Sequence, residues 1–267
     1  MVPGSSRDVV SRASRALAFY LPTKTLMMRN RRPIVSFSFD DVDESAVFNG
    51  ARILERHGIR GTFYVAGGLC GTRYQRWLFA SSESVRTLSV RGHEIGCHTY
   101  SHPDVQTLDR DGVDAELTAN RDFFAALDGD ISLDNFAYPY GSVGLPQKSV
   151  VQEQFWSCRG VRAGINAGRI DLGQLRAVQL YDVTLDADGI DTWINEVRRR
   201  NGWLIFYTHD VAASPTEHGC SLTLLELAAA RATQADCACL TVREAMTEIG
   251  YAPAVRYAGR VATDREG

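Results

Sequence analysis

Three observations predict an α/β fold, a closed or nearly closed parallel barrel of seven or eight strands. From Ile34 onward, short apolar runs rich in β-branched and aromatic residues alternate with helix-period stretches, the pattern of repeated βα units around a parallel sheet. Gly58, Gly92 and Gly202 each close a helical stretch just before a strand, where a left-handed C-cap is wanted. The 267 residues, 45% apolar, suffice for one barrel domain, whose ordinary size is roughly 200 to 250 residues.

Taken in order, residues 1–33 read as an N-terminal extension with a helix, 34–250 as the barrel domain and 251–267 as a tail. Strands are predicted at Ile34–Phe39, Gly61–Val65, Glu94–Cys97, Asn135–Tyr138, Ser157–Val161, Val178–Val183, Trp203–Tyr207 and Ala238–Thr241. Helices are predicted near 44–57, 81–91, 109–127, 147–155, 189–200, 221–235 and 242–250. Substrate choice in such a barrel lies in the mouth loops, here 67–80 and 211–220. Residues 8–28 read as an arginine-bearing amphipathic helix, packed over the domain's own core or, as the lesser reading, resting on a membrane surface.

Composition narrows the chemistry. A net charge of −3 gives no global field for nucleic acid or anionic lipid, so no nucleic-acid partner is expected. Lys24 and Lys148 are the only lysines, which disfavours Schiff-base mechanisms. The six cysteines (70, 97, 158, 220, 237 and 239) form no Cys-x-x-Cys pair and read as reduced, mostly buried thiols, Cys237 and Cys239 as small core residues. No run of about 18 apolar residues occurs, and Arg7, Arg12 and Arg15 interrupt any leader-like apolar core, so a cytoplasmic location is expected. A lipid-linked substrate would give membrane association through residues 8–28 a reason. The sequence leaves the oligomeric state open.

The chemistry-bearing residues fall at or just beyond strand C-terminal ends, where barrel enzymes place their sites. His98-Thr-Tyr-Ser-His102 sets two imidazoles at i, i+4, on one face of a single helical turn that Pro103 stops from lengthening. With Asp41 they supply three nitrogen and oxygen ligands, leaving a position open for water, as a catalytic zinc-like ion requires. Asp40 is the candidate general base, the bland alternative being that one of the two aspartates caps the helix starting near Glu44. His209 closes the apolar run Trp203-Leu-Ile-Phe-Tyr-Thr-His as a candidate general acid. Asp182, Asp186 or Asp210 could hydrogen-bond it and raise its pKa. The Pro-Gly turn after Phe136 could offer the Tyr140 backbone N–H as an oxyanion donor, an ordinary tight turn being the bland alternative. His93 reads as structural, and neither His57 nor His218 is favoured as a ligand. Asp41-Val-Asp43 also fits the Asp-x-Asp of an aspartyl-phosphate phosphatase, but that chemistry wants a later acidic pair that is not evident, and Lys148 is the only downstream lysine.

Ser38-Phe39-Asp40-Asp41, His98-Thr-Tyr-Ser-His102, Tyr138-Pro-Tyr-Gly141 and the run into His209, in that order, resemble the motifs of polysaccharide deacetylases of the NodB-homology type, carbohydrate esterase family four. The resemblance spans about residues 34 to 245. It implies a distorted (β/α) barrel and removal of acetyl groups from sugars with zinc or another divalent transition metal. By position it implies Asp40 as base, Asp41, His98 and His102 as metal ligands, His209 as acid and the Tyr140 N–H as oxyanion donor, with Ile205 and Tyr207 around the acetyl methyl. There are two departures. Where the family's third motif begins with an arginine that orients the base, this chain has Ala137, and Arg159 or Arg162 on the next strand could supply the charge. The family's aspartate–tryptophan fourth motif has no clean counterpart in Tyr181-Asp-Val-Thr-Leu-Asp186.

The leading reading is therefore deacetylation of an N-acetylated amino sugar in a bacterial envelope glycan or its precursor. The competing one is a barrel that has lost catalysis and binds a glycan or partner.

Overall fold

The computed structural model describes residues 14–252. Its centre is Ile34–Asp40 (β2), buried at every position. Alternation splits the strand's neighbours: Val35, Phe37 and Phe39 pack outward in the largest apolar cluster, whereas the Ser36 Oγ accepts from Trp203 Nε1 at 2.9 Å and Asp40 meets Arg159, both inside the curve of the sheet. Around β2 run Thr62–Val65 (β3), Glu94–Cys97 (β6), Asn135–Ala137 (β7) and Ser157–Arg159 (β8) on one side, and Trp203–Thr208 (β11) and Val178–Gln179 (β10) on the other. The order is β10-β11-β2-β3-β6-β7-β8, every pair parallel.

Two features distort the barrel. Ala238–Cys239 (β12) pairs with Ile34 and Val35 at the start of β2, and β3 pairs only with its end, Ser38 to Asp40. Between the edge strands β8 and β10 no regular ladder forms. Single bonds bridge the gap instead: Cys158 N to Leu172 O at 2.7 Å, Gly160 N to Leu175 O at 3.0 Å and Ala177 N to Arg162 O at 3.1 Å.

Most predicted elements are present with shifted ends, and the shifts have local causes. The strand expected at 157–161 stops at Arg159, and the chain then turns through Gly160 to Gly164, the latter at φ 149°. The strand expected at 178–183 stops at Gln179, because a turn closes with Thr184 N on Tyr181 O at 3.0 Å. The one expected at 238–241 ends early because Thr241 caps the helix Val242–Glu248 in a reciprocal capping box with Glu244. The helix expected at 44–57 opens with a π-turn, Ala46–Gly50, before Ala51–Arg56, and the one expected at 147–155 is Leu145–Gln152.

Four short strands have no counterpart in the sequence reading: Thr25–Met27 (β1), antiparallel to Arg169–Asp171 (β9), and the two of the hairpin Arg73–Tyr74/Trp77–Leu78 (β4, β5). The helix expected over 8–28 is helical at 14–20 (α1) and then gives way, past Pro22, to β1; its residues 8–13 lie outside the described residues, as do 253–267 of the tail. The described part of the extension packs on the domain, with Ala18 fully buried and Leu145 N donating to Ser14 Oγ at 3.2 Å. No helix among the described residues is long and apolar enough to cross a membrane.

Candidate metal centre and active-site cleft

Inward-facing residues stack in levels along the barrel. At the lower level Glu94 accepts from Asn135 Nδ2 at 2.7 Å, Thr62 Oγ1 at 2.9 Å and Arg243 N at 2.8 Å, so this buried carboxylate is fully partnered. Above it Gly96 makes room for Tyr64, since a Cβ there would lie 2.4 Å from the Tyr64 ring. At the top, the ends of β2, β6, β7, β8 and β11 open into a cleft of about 730 Å³.

Asp41, His98 and His102 meet in this cleft, with candidate ligand atoms all within 4.8 Å of one another. Asp41 Oδ1 lies 3.1 Å from His102 Nε2 and 3.6 Å from His98 Nε2, yet it is buried and accepts no hydrogen bond. A carboxylate oxygen and two imidazole nitrogens aimed at one point, without bonding each other, are the donor set that a borderline divalent cation satisfies. His98 is oriented from behind, its Nδ1–H donating to Ala137 O at 2.8 Å and leaving Nε2 as the free lone pair. Burial presses the imidazoles of His98 and His102 down, to about 3 and about 4, so both are neutral as ligation requires. Burial, and then the charge of Asp40, push the Asp41 carboxyl up to about 7, a penalty that a cation would relieve.

The histidines do not share a helical turn as the spacing suggested. Residues 98–103 are a tight loop with Thr99 at φ 63° and His102 at φ 59°. Glu116, on the helix Arg110–Leu127, holds it by accepting from Tyr100 N at 2.9 Å, Ser101 N at 2.8 Å and Ser101 Oγ at 2.7 Å, and His102 N donates to Thr99 Oγ1 at 3.1 Å. These local bonds offer the backbone an alternative to a helix. Neither Asp40 nor Asp41 caps the following helix. Asp43 shapes that turn, accepting from Ser45 N at 2.8 Å and Leu78 N at 2.9 Å, which also commits the carboxylate that the phosphatase reading needed.

Asp40 is the inward-facing last residue of β2, and both its oxygens accept from Arg159 Nη2. Burial works to raise its pKa, but the Arg159 guanidinium, helped by His98 and His209, outweighs burial and holds the carboxyl below its ordinary range. Arg159 is itself buried between two rings, 5.2 Å from Tyr64 and 4.9 Å from Tyr207. It is the register partner of Ala137 on the neighbouring strand, so the guanidinium enters the barrel at the level of the missing arginine, one strand over. Arg162 does not reach the site; its guanidinium stacks on Phe19 at 3.6 Å in a separate cavity.

His209 lies across the cleft, one residue beyond β11. None of the three aspartates considered for it is its partner: Asp182 accepts from Ser221 N, Asp186 caps the helix Ala187–Arg200, and Asp210 accepts from Thr216 N and Oγ1. Nδ1 instead faces His218 O at 3.0 Å and the Tyr181 hydroxyl at 3.3 Å. Burial lowers the imidazole's pKa, against the expected rise, and Asp40 and the His218 carbonyl oppose this only in part. Trp77, from the β4–β5 hairpin, meets the His209 ring edge-on at 5.4 Å. It brings a tryptophan to His209 from an element other than Tyr181 to Asp186.

Tyr140 sits at φ 56° in the turn closed by Gly141 N on Tyr138 O at 2.8 Å, and its exposed ring packs 4.6 Å from His102. Tyr207 lines the cleft, whereas Ile205 lies deeper, in the apolar layer with Trp203 and Ile34. His93 is built into the core, accepting from Gly61 N at 3.0 Å and facing Glu55 at 3.1 Å; His57 pairs with Glu226 at 2.6 Å. Sequence reasoning missed Trp77, Tyr181 and the His218 carbonyl.

A family model described as polysaccharide deacetylase matches residues 28–154. The chain is 30% identical over 83 residues to a chitin deacetylase of Pestalotiopsis sp, which covers 31% of this chain and 26% of that protein. The matched segments span 42%, 26% and 35% of three curated relatives, less than half of each. In three dimensions the chain is similar to the chitin deacetylase of Colletotrichum lindemuthianum, with TM-score 0.59 and 18% identity over 85% of this chain and 92% of the other. It is also similar to a family 4 carbohydrate esterase of Streptomyces lividans, with TM-score 0.53 and 19% identity over 85% and 100%. At these identities the structural likenesses establish the distorted barrel.

Proposed function

The chain belongs to the polysaccharide deacetylase family, and from that premise we propose that it hydrolyses the N-acetyl group of an amino sugar in a bacterial envelope glycan or its precursor, with zinc as the ion. The observation that carries this reading is the meeting of Asp41, His98 and His102 beside an Asp40 that Arg159 keeps ionised. A divalent ion held by the three ligands supplies Lewis-acid polarisation of the acetyl carbonyl and a lowered pKa for water.

Asp40 takes the proton of the attacking water, and Arg159 fixes the carboxylate in place while it does so. The Tyr140 N–H donates to the oxyanion that develops on the acetyl carbonyl. His209, oriented by the His218 carbonyl, gives a proton to the departing amine; burial makes its protonated form a stronger acid, and a scarcer one as pH rises. Tyr74, Trp77, Tyr140 and Tyr181 give the cleft the aromatic walls on which sugar rings stack. Of the two departures that motivate the binding-only reading, the one at Ala137 is answered by Arg159, which reaches Asp40 from the neighbouring strand.

The test pairs metal content with acetate release from N-acetylated oligosaccharides. Wild type should hold one ion per chain and release acetate. His98→Ala should lose both. Asp40→Asn should keep the ion and lose turnover by about 10²- to 10⁴-fold. A fully active Asp40→Asn, or an ion that persists in His98→Ala, would overturn the assignment.

A further inference from the structure

Beside the catalytic cleft lies a second cavity, of about 430 Å³, whose wall carries Arg162, Arg169, Arg176 and Arg200. The two cavities adjoin: Val161 lines the first and Arg162, next in the chain, the second. Among the described residues, Arg162, Arg169 and Arg176 have no carboxylate within 4.0 Å, and Arg200 has only Glu196 at 3.9 Å. The one acid in the wall, Asp171, is already committed to Lys148 Nζ at 2.5 Å and to backbone N–H groups. The Phe19 ring is in cation–π contact with two of the guanidiniums, 3.6 Å from Arg162 and 5.1 Å from Arg176.

Like charges gathered in a concave site without counter-charge repel one another, and guanidinium forks match the oxygens of a phosphoryl group in geometry as well as charge. We infer that this cavity binds a phosphate monoester or diester, the class shared by lipid headgroups and phosphorylated sugars, at a site separate from the metal centre. Burial, together with the charges of Arg162 and Arg200, presses the Arg176 pKa below its ordinary value, as expected where an anion is wanted. Tyr20 lines the site and is exposed, as are Leu17 and Leu21 on the same segment, and these exposed apolar side chains favour a headgroup as the source.

The inference does not rest on the deacetylase reading, and its test does not read acetate release. Metal-loaded protein is titrated with inorganic phosphate by calorimetry, and floated with vesicles of phosphatidylcholine alone or with phosphatidylglycerol. Wild type should bind one phosphate per chain at this site. Arg162→Gln/Arg176→Gln should weaken that binding tenfold or more, whereas Arg162→Lys/Arg176→Lys should retain most of it, separating a charge role from mere packing. Flotation only with phosphatidylglycerol, lost in the glutamine variant, would identify a lipid headgroup; phosphate binding without flotation would identify a soluble phosphorylated ligand. Equal phosphate binding by wild type and the folded glutamine variant, or none by wild type, would overturn the inference.

Discussion

Asp40 and His93 show how differently single buried residues use low dielectric. Asp40 and Arg159 are both almost fully buried, and removing either would strand a charge, typically at a cost of about 3–5 kcal/mol. Their juxtaposition keeps a carboxylate ionised beside the neutral imidazoles of His98 and His102 without needing a solvent shell. His93 goes the other way. Its Nδ1 accepts from Gly61 N, so the ring is held neutral, and burial pushes its pKa down from 6.5 to about 4. Above pH 6.5 folded and unfolded states are both neutral there and the contribution to stability is complete. As pH falls towards 4 the unfolded chain takes a proton that the folded one refuses, and on the order of 3 kcal/mol is lost. Urea unfolding at pH 7 and pH 5 should therefore show a steeper loss in wild type than in His93→Gln. Equal losses would mean that His93 is not the group that titrates.

At the scale of elements, the site depends on turns more than on strands. Gly141 sits at φ 62°, and a Cβ there would fall 2.2 Å from Val161 Cγ2, so the turn that carries Tyr140 exists only with glycine. Gly141→Ala should displace Tyr140 and cost acetate release on the order of 10²-fold, the usual penalty for a misplacement of about 1 Å, while leaving metal content intact. Adding Val161→Gly removes the collision and should restore part of the rate; an unimpaired Gly141→Ala would show that the turn's position is unimportant. The same scale explains what the sequence disclosed. Long apolar strands such as Trp203–Thr208 declare themselves by composition, and the His98/His102 pair by spacing, although the loop that joins them depends on Glu116, fourteen residues beyond His102. The β4–β5 hairpin was not legible, because two-residue strands have no period, and with it went Trp77. The partner of His209 was not legible either, since a backbone carbonyl leaves no mark on the sequence. Arg159 could be named only as one of two candidates, because which strand fills the level of Ala137 is a matter of register.

Across the whole molecule, the chain's two lysines tie its N-terminal segment to the barrel by exchanging helix ends. Lys148, fully buried on the helix Leu145–Gln152, donates from Nζ to Ala18 O at 2.5 Å and Leu21 O at 3.0 Å, at the end of α1. Lys24, just beyond α1, donates in return to Gln152 O at 3.2 Å and Phe155 O at 2.6 Å, at the end of the helix that carries Lys148. Cations at helix C-termini satisfy carbonyls that have no partner in the helix and complement its dipole. Because Asp171 completes the Lys148 pair, Lys148→Met leaves a poorly solvated carboxylate behind and should destabilise the fold by about 3–5 kcal/mol. Protease nicking should appear first around residues 14–21. Lys148→Met/Asp171→Asn should recover part of the loss, because the stranded charge is gone. The consequence reaches beyond stability. Phe19 and Tyr20 wall the arginine cavity, so folded Lys148→Met should bind inorganic phosphate more weakly while its acetate release, governed by strand ends on the far side of Val161, is spared. Parallel loss of both activities would instead mean that the N-terminal segment supports the barrel as a whole.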